Sequence, residues 1–201
     1  MARPAGQRIS NTKIEAAEAQ LRAAVRMFFE DKDLVPIVTL ANAVREVMGQ
    51  IGEYLDVKTV QQEVAKSRGK SVAELTEPLR KMANFFKHAD KDPRAKIIFE
   101  ENDVEVLLFF ACHDFGRVAK GMPIEAQVFE AWAYAANTKR VSDVPLRKQP
   151  LLKRMIAAFP GLRAAPDRSK QKKIGLEIME RALRNKSLEM TIMREIPAKR
   201  R

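Results

Sequence analysis

The chain has 201 residues, of which 46% are apolar and 31% charged. This composition predicts one globular domain, or one domain with an extension, and excludes a chain that is disordered throughout. The single cysteine, Cys112, excludes an internal disulfide and favours a small buried side chain in a reducing compartment. Residues 1–10 lack the apolar core of a signal peptide, and no apolar run approaches the ~18 residues of a membrane span. We therefore expect a cytoplasmic protein without a membrane-spanning helix.

The net charge of +11 is placed unevenly along the chain. Residues 1–138 carry 19 Lys and Arg against 20 Asp and Glu, whereas residues 139–201 carry 18 against 6. The change coincides with a proline-containing stretch, so we predict a helical domain at 9–138 and a basic helical extension at 139–201. Such a cationic block attracts polyanions or anionic lipid. The alternative is a solvated basic tail that aids solubility.

Capping motifs and apolar stripes of helical period predict the first helices. Thr12 and Glu15 form a capping box, and a stripe of apolar residues follows it, which predicts a helix at 12–30. Pro36 suits the first turn of a second helix, where its missing N–H costs nothing. Asp56 is predicted to cap a third helix.

A fourth helix is predicted to begin at a second capping box, formed by Ser71 and Glu74, and to run to His88. Pro78 lies inside it, at an expected cost of about 3 kcal/mol in a helix interior. The sequence therefore predicts either a kink or a helix that restarts at Thr76.

The rest of the chain also favours helices. Residues 96–99 (Lys-Ile-Ile-Phe) are the one plausible strand, and it is short. The fold class predicted is all-α, a helical bundle with additional C-terminal helices. Further helices are predicted from Asn102, with Glu105 in its capping box, to Gly121, from Pro123 to about residue 136, near 150–158 and near 168–186.

Three polar residues of the fourth helix form the candidate catalytic group. Arg80, Asn84 and His88 follow one another at intervals of four and so share one face of the helix. A guanidinium, an amide and an imidazole on one face can bind a phosphate, and the imidazole can move a proton near neutral pH. The alternative is an ordinary helix C-terminus, where cationic side chains are favoured by the helix dipole.

The segment around these residues resembles that of a group of uncharacterised proteobacterial proteins of similar length. The resemblance is carried by residues 83–93 (Ala-Asn-Phe-Phe-Lys-His-Ala-Asp-Lys-Asp-Pro) and by residues 9–13, and covers roughly residues 9–135. It implies no known activity.

The same residues also resemble HEPN domains, helical bundles found in RNA-cleaving toxins and in inactive binding versions. Asn84 and His88 match the polar residue and the histidine of the HEPN motif, but Ala83 occupies the arginine position. The nearest arginine, Arg80, lies one turn earlier, so the guanidinium that would neutralise a reacting phosphate is displaced.

The first hypothesis is a non-catalytic helical module whose basic third contacts nucleic acid, RNA or DNA. No cofactor is predicted, and a metal site would require His88, Asp90, Asp92, His113 and Asp114 to meet from two helices. The predicted nucleic-acid-binding residues are Lys170, Lys172, Lys173, Arg181, Arg184 and Lys186.

Three alternatives stay open. The second hypothesis is a metal-independent ribonuclease of the HEPN kind, with His88 as acid or base and with Asn84 and Arg80 orienting the phosphate. The third hypothesis is a protein adaptor or homodimer that uses the apolar stripe Met155, Ile156, Ile174, Ile178 and Met179. The fourth, a minor one, is attachment to an anionic membrane through a basic amphipathic helix.

Overall fold

A computed structural model describes residues 10–88, 92–137, 150–185, 191–193 and 196. Within these residues every regular element is helical, which confirms the all-α prediction. None of the described helices has the length and apolar character needed to cross a membrane. The helices are α1 (Lys13–Phe29), α2 (Leu34–Leu55), α3 (Val60–Ser67), α4 (Val72–Lys87), α5 (Glu101–Val118), α6 (Ile124–Ala136), α7 (Pro150–Ala157) and α8 (Arg168–Arg184), with a 3₁₀ turn at Leu162–Ala164.

The first two helices begin where the sequence predicts. The Glu15 amide donates to Thr12 Oγ1 at 3.1 Å, and the Thr12 amide donates to Glu15 Oε2 at 2.9 Å, which confirms the capping box. Pro36 lies in the first turn of α2, and Asp33 caps that helix by accepting from the Val35 amide at 2.8 Å. Both helices can therefore start without unpaired amides at these positions.

Two predicted helix starts are wrong because another residue provides the cap. Asp56 ends α2 in the left-handed conformation (φ 56°) instead of starting α3, which Thr59 caps by accepting from the Gln62 amide. Likewise α5 begins at Glu101 rather than Asn102, since Asp103 accepts from the Glu100 amide at 3.0 Å.

α4 is a single helix that contains Pro78, so it neither ends nor restarts at Thr76. The predicted capping box at its start is present, with Ser71 Oγ accepting from the Glu74 amide at 3.2 Å. Leu79 and Met82 are buried in the core beyond the proline. The proline itself is exposed, so its ring meets solvent while packing on the other side holds the helix together.

Residues 96–99 do not form a strand within the described part of the chain, so that prediction is wrong for the isolated molecule. Ile97 and Phe99 pack against the core, and the Phe99 ring lies 5.5 Å from the Phe86 ring. A strand needs a neighbouring strand for its backbone groups, and the structure describes none beside it.

One apolar core joins the early helices to the late ones. α2 packs on α1 and α5, α6 packs on α1 and α5, and both α7 and α8 pack on α6. Trp132, fully buried in α6, donates from Nε1 to the Gln171 carbonyl of α8 at 2.9 Å. At Gly175 of α8 an added Cβ would lie 2.3 Å from the Phe29 ring, so only glycine allows this close approach.

The apolar stripe proposed for a partner is used largely within the chain. Met179 is fully buried, and Ile156, Ile174 and Ile178 pack against the same core; the side chain of Met155 lies outside the described residues. The boundary near residue 138 also lies outside them, so the division into domains 9–138 and 139–201 stays a prediction.

Candidate nucleic-acid interface

The last described helix, α8, has an inner and an outer face of different chemistry. Its N-terminus is capped by Asp167, whose Oδ1 accepts from the Lys170 amide at 2.8 Å. The inner face buries Lys172, Gly175, Met179 and Ala182 against the bundle. The outer face carries the remaining predicted cations of this helix.

Lys172 points into the protein, which removes it from the surface that the sequence predicts. It is only 2% exposed, and its Nζ lies 2.7 Å from Asp31 Oδ1 and in an ion pair with Glu101. The ammonium also lies 4.6 Å from the centre of the Phe28 ring. The hydrogen bond from Lys172 lowers the pKa of Asp31. The charge of this lysine is thus neutralised by two acids outside the basic C-terminal part.

Arg168, at the start of α8, is held in the same way. Its Nε donates to Glu105 Oε1 at 2.6 Å, and its guanidinium lies 4.5 Å from the centre of the Trp132 ring. Glu105 is buried, so this contact joins α8 to α5. Two of the C-terminal cations therefore hold the helix on the bundle and are not free for a ligand.

Four predicted cations remain on the solvent side: Lys170, Lys173, Arg181 and Arg184 are all exposed. At 100° per residue they fall within about 80° of the helix circumference, and they span about 21 Å along its axis. The sixth predicted residue, Lys186, lies outside the described residues.

The outer face is cationic but not purely so. Glu177 and Glu180 are exposed and interleave with the four cations. Lys170 Nζ also lies 3.7 Å from Asp167 Oδ2, but both side chains are more than half exposed. Ion pairs of this kind are weak, so they leave the lysine able to exchange a carboxylate for a phosphate.

Three exposed cations of the preceding segment were not among the predicted residues. Lys153 and Arg154 lie on α7, and Arg163 lies in the 3₁₀ turn. They contribute to the excess positive charge of residues 139–201, but no helical periodicity in the sequence indicates that they belong to a binding face. With the outer face of α8 they make seven exposed cations against three exposed acids among residues 150–185.

The candidate catalytic residues Arg80, Asn84 and His88 are all exposed along α4. None of their side chains hydrogen-bonds to another described residue. Ala83, at the arginine position of the HEPN motif, is fully buried and faces the core. One open cavity, of about 580 Å³, is lined by the junction of α2 and α3, and another, of about 260 Å³, is lined by Ala135 and the 3₁₀ turn. Neither cavity is lined by Arg80, Asn84 or His88. They form an exposed line on the helix rather than part of these clefts.

A second group of titratable residues joins α5 and α6. His113 Nε2 lies 3.2 Å from Glu130 Oε1 and 3.3 Å from the Tyr134 hydroxyl. Burial lowers the pKa of His113 to about 4, and it raises the pKa of Glu130 to about 7 and that of Tyr134 to about 12. Sequence reasoning missed Glu130 and Tyr134, because only the packing of two helices brings them to His113.

Asp114, beside His113, has a structural position. Its Oδ1 accepts from the Val60 amide at 2.6 Å and so ties α5 to the first turn of α3. Burial raises the pKa of this carboxyl to about 6. Cys112 is fully buried, as predicted. No three His, Cys, Asp or Glu side chains among the described residues are placed to hold one metal ion.

Comparison with known proteins does not assign the chain to a family. No protein-family model, no curated protein and no solved structure matches the chain. The resemblances read from the sequence thus stay predictions, and function is inferred from the described residues.

Proposed function

We propose that this protein is a non-catalytic helical module that binds nucleic acid through the outer face of α8. The observation that carries the proposal is the division of cations on that helix. Arg168 and Lys172 are neutralised by Glu105, Asp31 and Glu101. Lys170, Lys173, Arg181 and Arg184 are left facing solvent on a helix that is fixed to the core.

The expected contacts are to phosphates rather than to bases. Lysine and arginine on a rigid helix neutralise phosphates and release counterions, and that energy does not depend on sequence. α8 contains no aromatic residue on which an unpaired base can stack. The proposed binding is therefore strong at low salt, weak at high salt and indifferent to base sequence.

The direct test is fluorescence anisotropy with labelled single-stranded RNA and duplex DNA of about 20 nucleotides, long enough to span the helix. We expect binding by the wild type at low salt. Replacing the four outer cations with Gln should weaken it by about tenfold or more, since four phosphate contacts are lost. The substitutions are Lys170→Gln, Lys173→Gln, Arg181→Gln and Arg184→Gln.

A matched control removes the same charge from elsewhere on the surface. If the proposal holds, the control variant binds within about twofold of wild type. Absence of wild-type binding at low salt, or an equal loss in the control, would show that the outer face of α8 is not the site. The control substitutions are Lys58→Gln, Lys66→Gln, Arg68→Gln and Lys70→Gln, all at exposed positions.

A second candidate, the ribonuclease, is supported by the exposure of Arg80, Asn84 and His88 on one face of α4. In this hypothesis His88 is the acid or base and the other two residues orient the phosphate. The test compares cleavage of mixed RNA by wild type, His88→Ala and His113→Gln. Cleavage lost only in His88→Ala supports the enzyme, and cleavage that is equal or absent in all three rejects it.

A further inference from the structure

The segment between α4 and α5 has the exposure pattern of a strand although it pairs with nothing in the described chain. Ile97 and Phe99 are partly buried against the bundle, whereas Lys96, Ile98 and Glu100 are exposed. Ile98 is 97% exposed, against 42% or less for the other exposed large hydrophobic residues described. Alternation with a period of two is the signature of an extended strand with one face on a core.

The backbone of residues 96–99 also lacks a partner within the described part of the chain. Among the described residues, no backbone hydrogen bond involves residues 96–99. Isoleucine and phenylalanine favour strand pairing, and an exposed run of free N–H and C=O groups is a template for another strand. The segment therefore presents both the apolar side chain and the backbone groups that strand addition uses.

We propose that a second copy of this chain adds its own residues 96–100 to this segment as an antiparallel pair. The two-fold axis passes through Ile98, so the two copies of this residue lie opposite each other. In this register Lys96 lies opposite Glu100 of the second copy, and the same ion pair forms again on the other side of the axis. Ile97 lies opposite Phe99 of the second copy.

The choice of a second copy follows from the charge order of the segment itself. The segment has a cation at one end and an anion at the other. When two copies pair in antiparallel directions, the cation of each copy therefore lies opposite the anion of the other. A shift of one residue places Lys96 opposite Phe99, or opposite Glu101, which lies in α5 and already pairs with Lys172. A parallel pair with matched residues places like charges together. The register centred on Ile98 also keeps Ile97 and Phe99 on the bundle side in both copies.

The expected dimer is weak and concentration-dependent. One strand pair of five residues buries much less than the roughly 1,000 Å² of a stable complex. Its specificity comes from backbone hydrogen bonds between Ile97 and Phe99, since the Glu100 amide is already bonded to Asp103. The two Ile98 side chains, in contact on the solvent side, and two ion pairs add to it. A method that traps a transient contact is therefore the appropriate test.

The test is disulfide trapping in the full chain. In Ile98→Cys the two new cysteines face each other across the axis, within the Cβ separation of opposed residues in a strand pair. The native Cys112 is fully buried and does not compete. We expect Ile98→Cys to form covalent dimers under mild oxidation at least about tenfold faster than the exposed control Lys66→Cys. Equal rates would overturn the proposal.

A second pair of variants tests the register. Lys96→Cys mixed with Glu100→Cys should give a heterodimer, because these positions are opposed. Lys96→Cys alone should not, since its two copies lie about 13 Å apart along the strands. Faster self-linking of Lys96→Cys than linking of the mixture would overturn the register. Because Ile98 is exposed, loss of trapping cannot be attributed to a damaged core, and circular dichroism of each variant verifies the fold.

Discussion

Lys172 and Lys173 are adjacent in α8, and the sequence presents them as equivalent members of one basic face. The structure separates them: Lys172 is 2% exposed in an ion pair with Asp31 and Glu101, and Lys173 is exposed. A helix turns 100° per residue, so neighbours can face the core and the solvent. The charge of one holds the helix in place, and the charge of the other is available to a ligand.

We therefore expect the same substitution to affect stability at Lys172 and nucleic-acid binding at Lys173. Lys172→Met leaves two carboxylates without their partner and should lower the free energy of unfolding by about 1–3 kcal/mol, with little change in RNA affinity. Lys173→Met should leave stability within about 0.5 kcal/mol and weaken RNA binding at low salt. Denaturant unfolding and anisotropy on both variants provide the check. Equal behaviour of the two variants would contradict the placement of Lys172.

The sequence only partly predicts that Lys172 points inward. Lys172 lies seven residues before Met179 and so on the same side of α8 as a core residue. This signal is lost when the lysines are considered without the apolar residues around them. The acids that neutralise it, Asp31 and Glu101, lie 141 and 71 residues earlier in the chain. Only tertiary packing shows which of the cations has such a partner.

Glu130 gives a prediction about pH. Burial raises its pKa to about 7 in the folded chain from 4.5, so the protein favours the protonated carboxyl. The stability contributed by this group is complete below pH 4.5 and is lost as the pH rises through 7. His113 acts in the opposite direction, because burial lowers its pKa to about 4 from 6.5 and stability is lost as the pH falls.

Substitution separates the two effects. Glu130→Gln keeps the volume and replaces the carboxyl with an amide that stays neutral at every pH. Between pH 6 and 8 its free energy of unfolding should therefore rise relative to wild type by roughly 1 kcal/mol. The measurement is urea unfolding of both proteins at several pH values. A constant difference between them across this range would show that Glu130 does not titrate as described.

At the level of elements, local signals were reliable where one motif competed with no other. The capping boxes at Thr12 and Ser71 are present as predicted, since their bonds join residues three apart. The sequence predicts the wrong helix for Asp56, because an aspartate can either start a helix or end one in the left-handed conformation. Which occurs depends on Thr59, which caps α3 instead.

Pro78 shows tertiary packing overriding a local cost. It lacks the N–H that would bond to the Glu74 carbonyl, yet α4 continues through it. Pro78→Ala should therefore raise the free energy of unfolding by about 2–3 kcal/mol, because the helix bond is restored while the unfolded chain gains some freedom. Pro36→Ala is the matched control, exposed and in the first turn of α2, and should change stability by less than about 0.5 kcal/mol. Equal gains in thermal or urea unfolding would contradict this account of α4.

At the scale of the whole molecule, the sequence predicts a neutral part and a cationic part, and the structure shows contacts between them. Arg168 and Lys172 bind acids of residues 1–138, so the excess of charge is partly neutralised by the bundle. The fold class was predictable from helical periodicity, and the location of the charge excess from simple counting. The division of the cations between core and surface was not, because it depends on how α8 rotates against α1, α5 and α6.

The central claim is that the outer cations of α8 contact phosphates, and the salt dependence of RNA binding tests it most directly. The dissociation constant is measured by anisotropy from about 50 to 200 mM salt for wild type and for the variant lacking the four outer cations. Four contacts to single-stranded RNA predict a log–log slope of affinity near −3, falling toward zero in the variant. A flat dependence for wild type, or the same slope for both proteins, would contradict the claim.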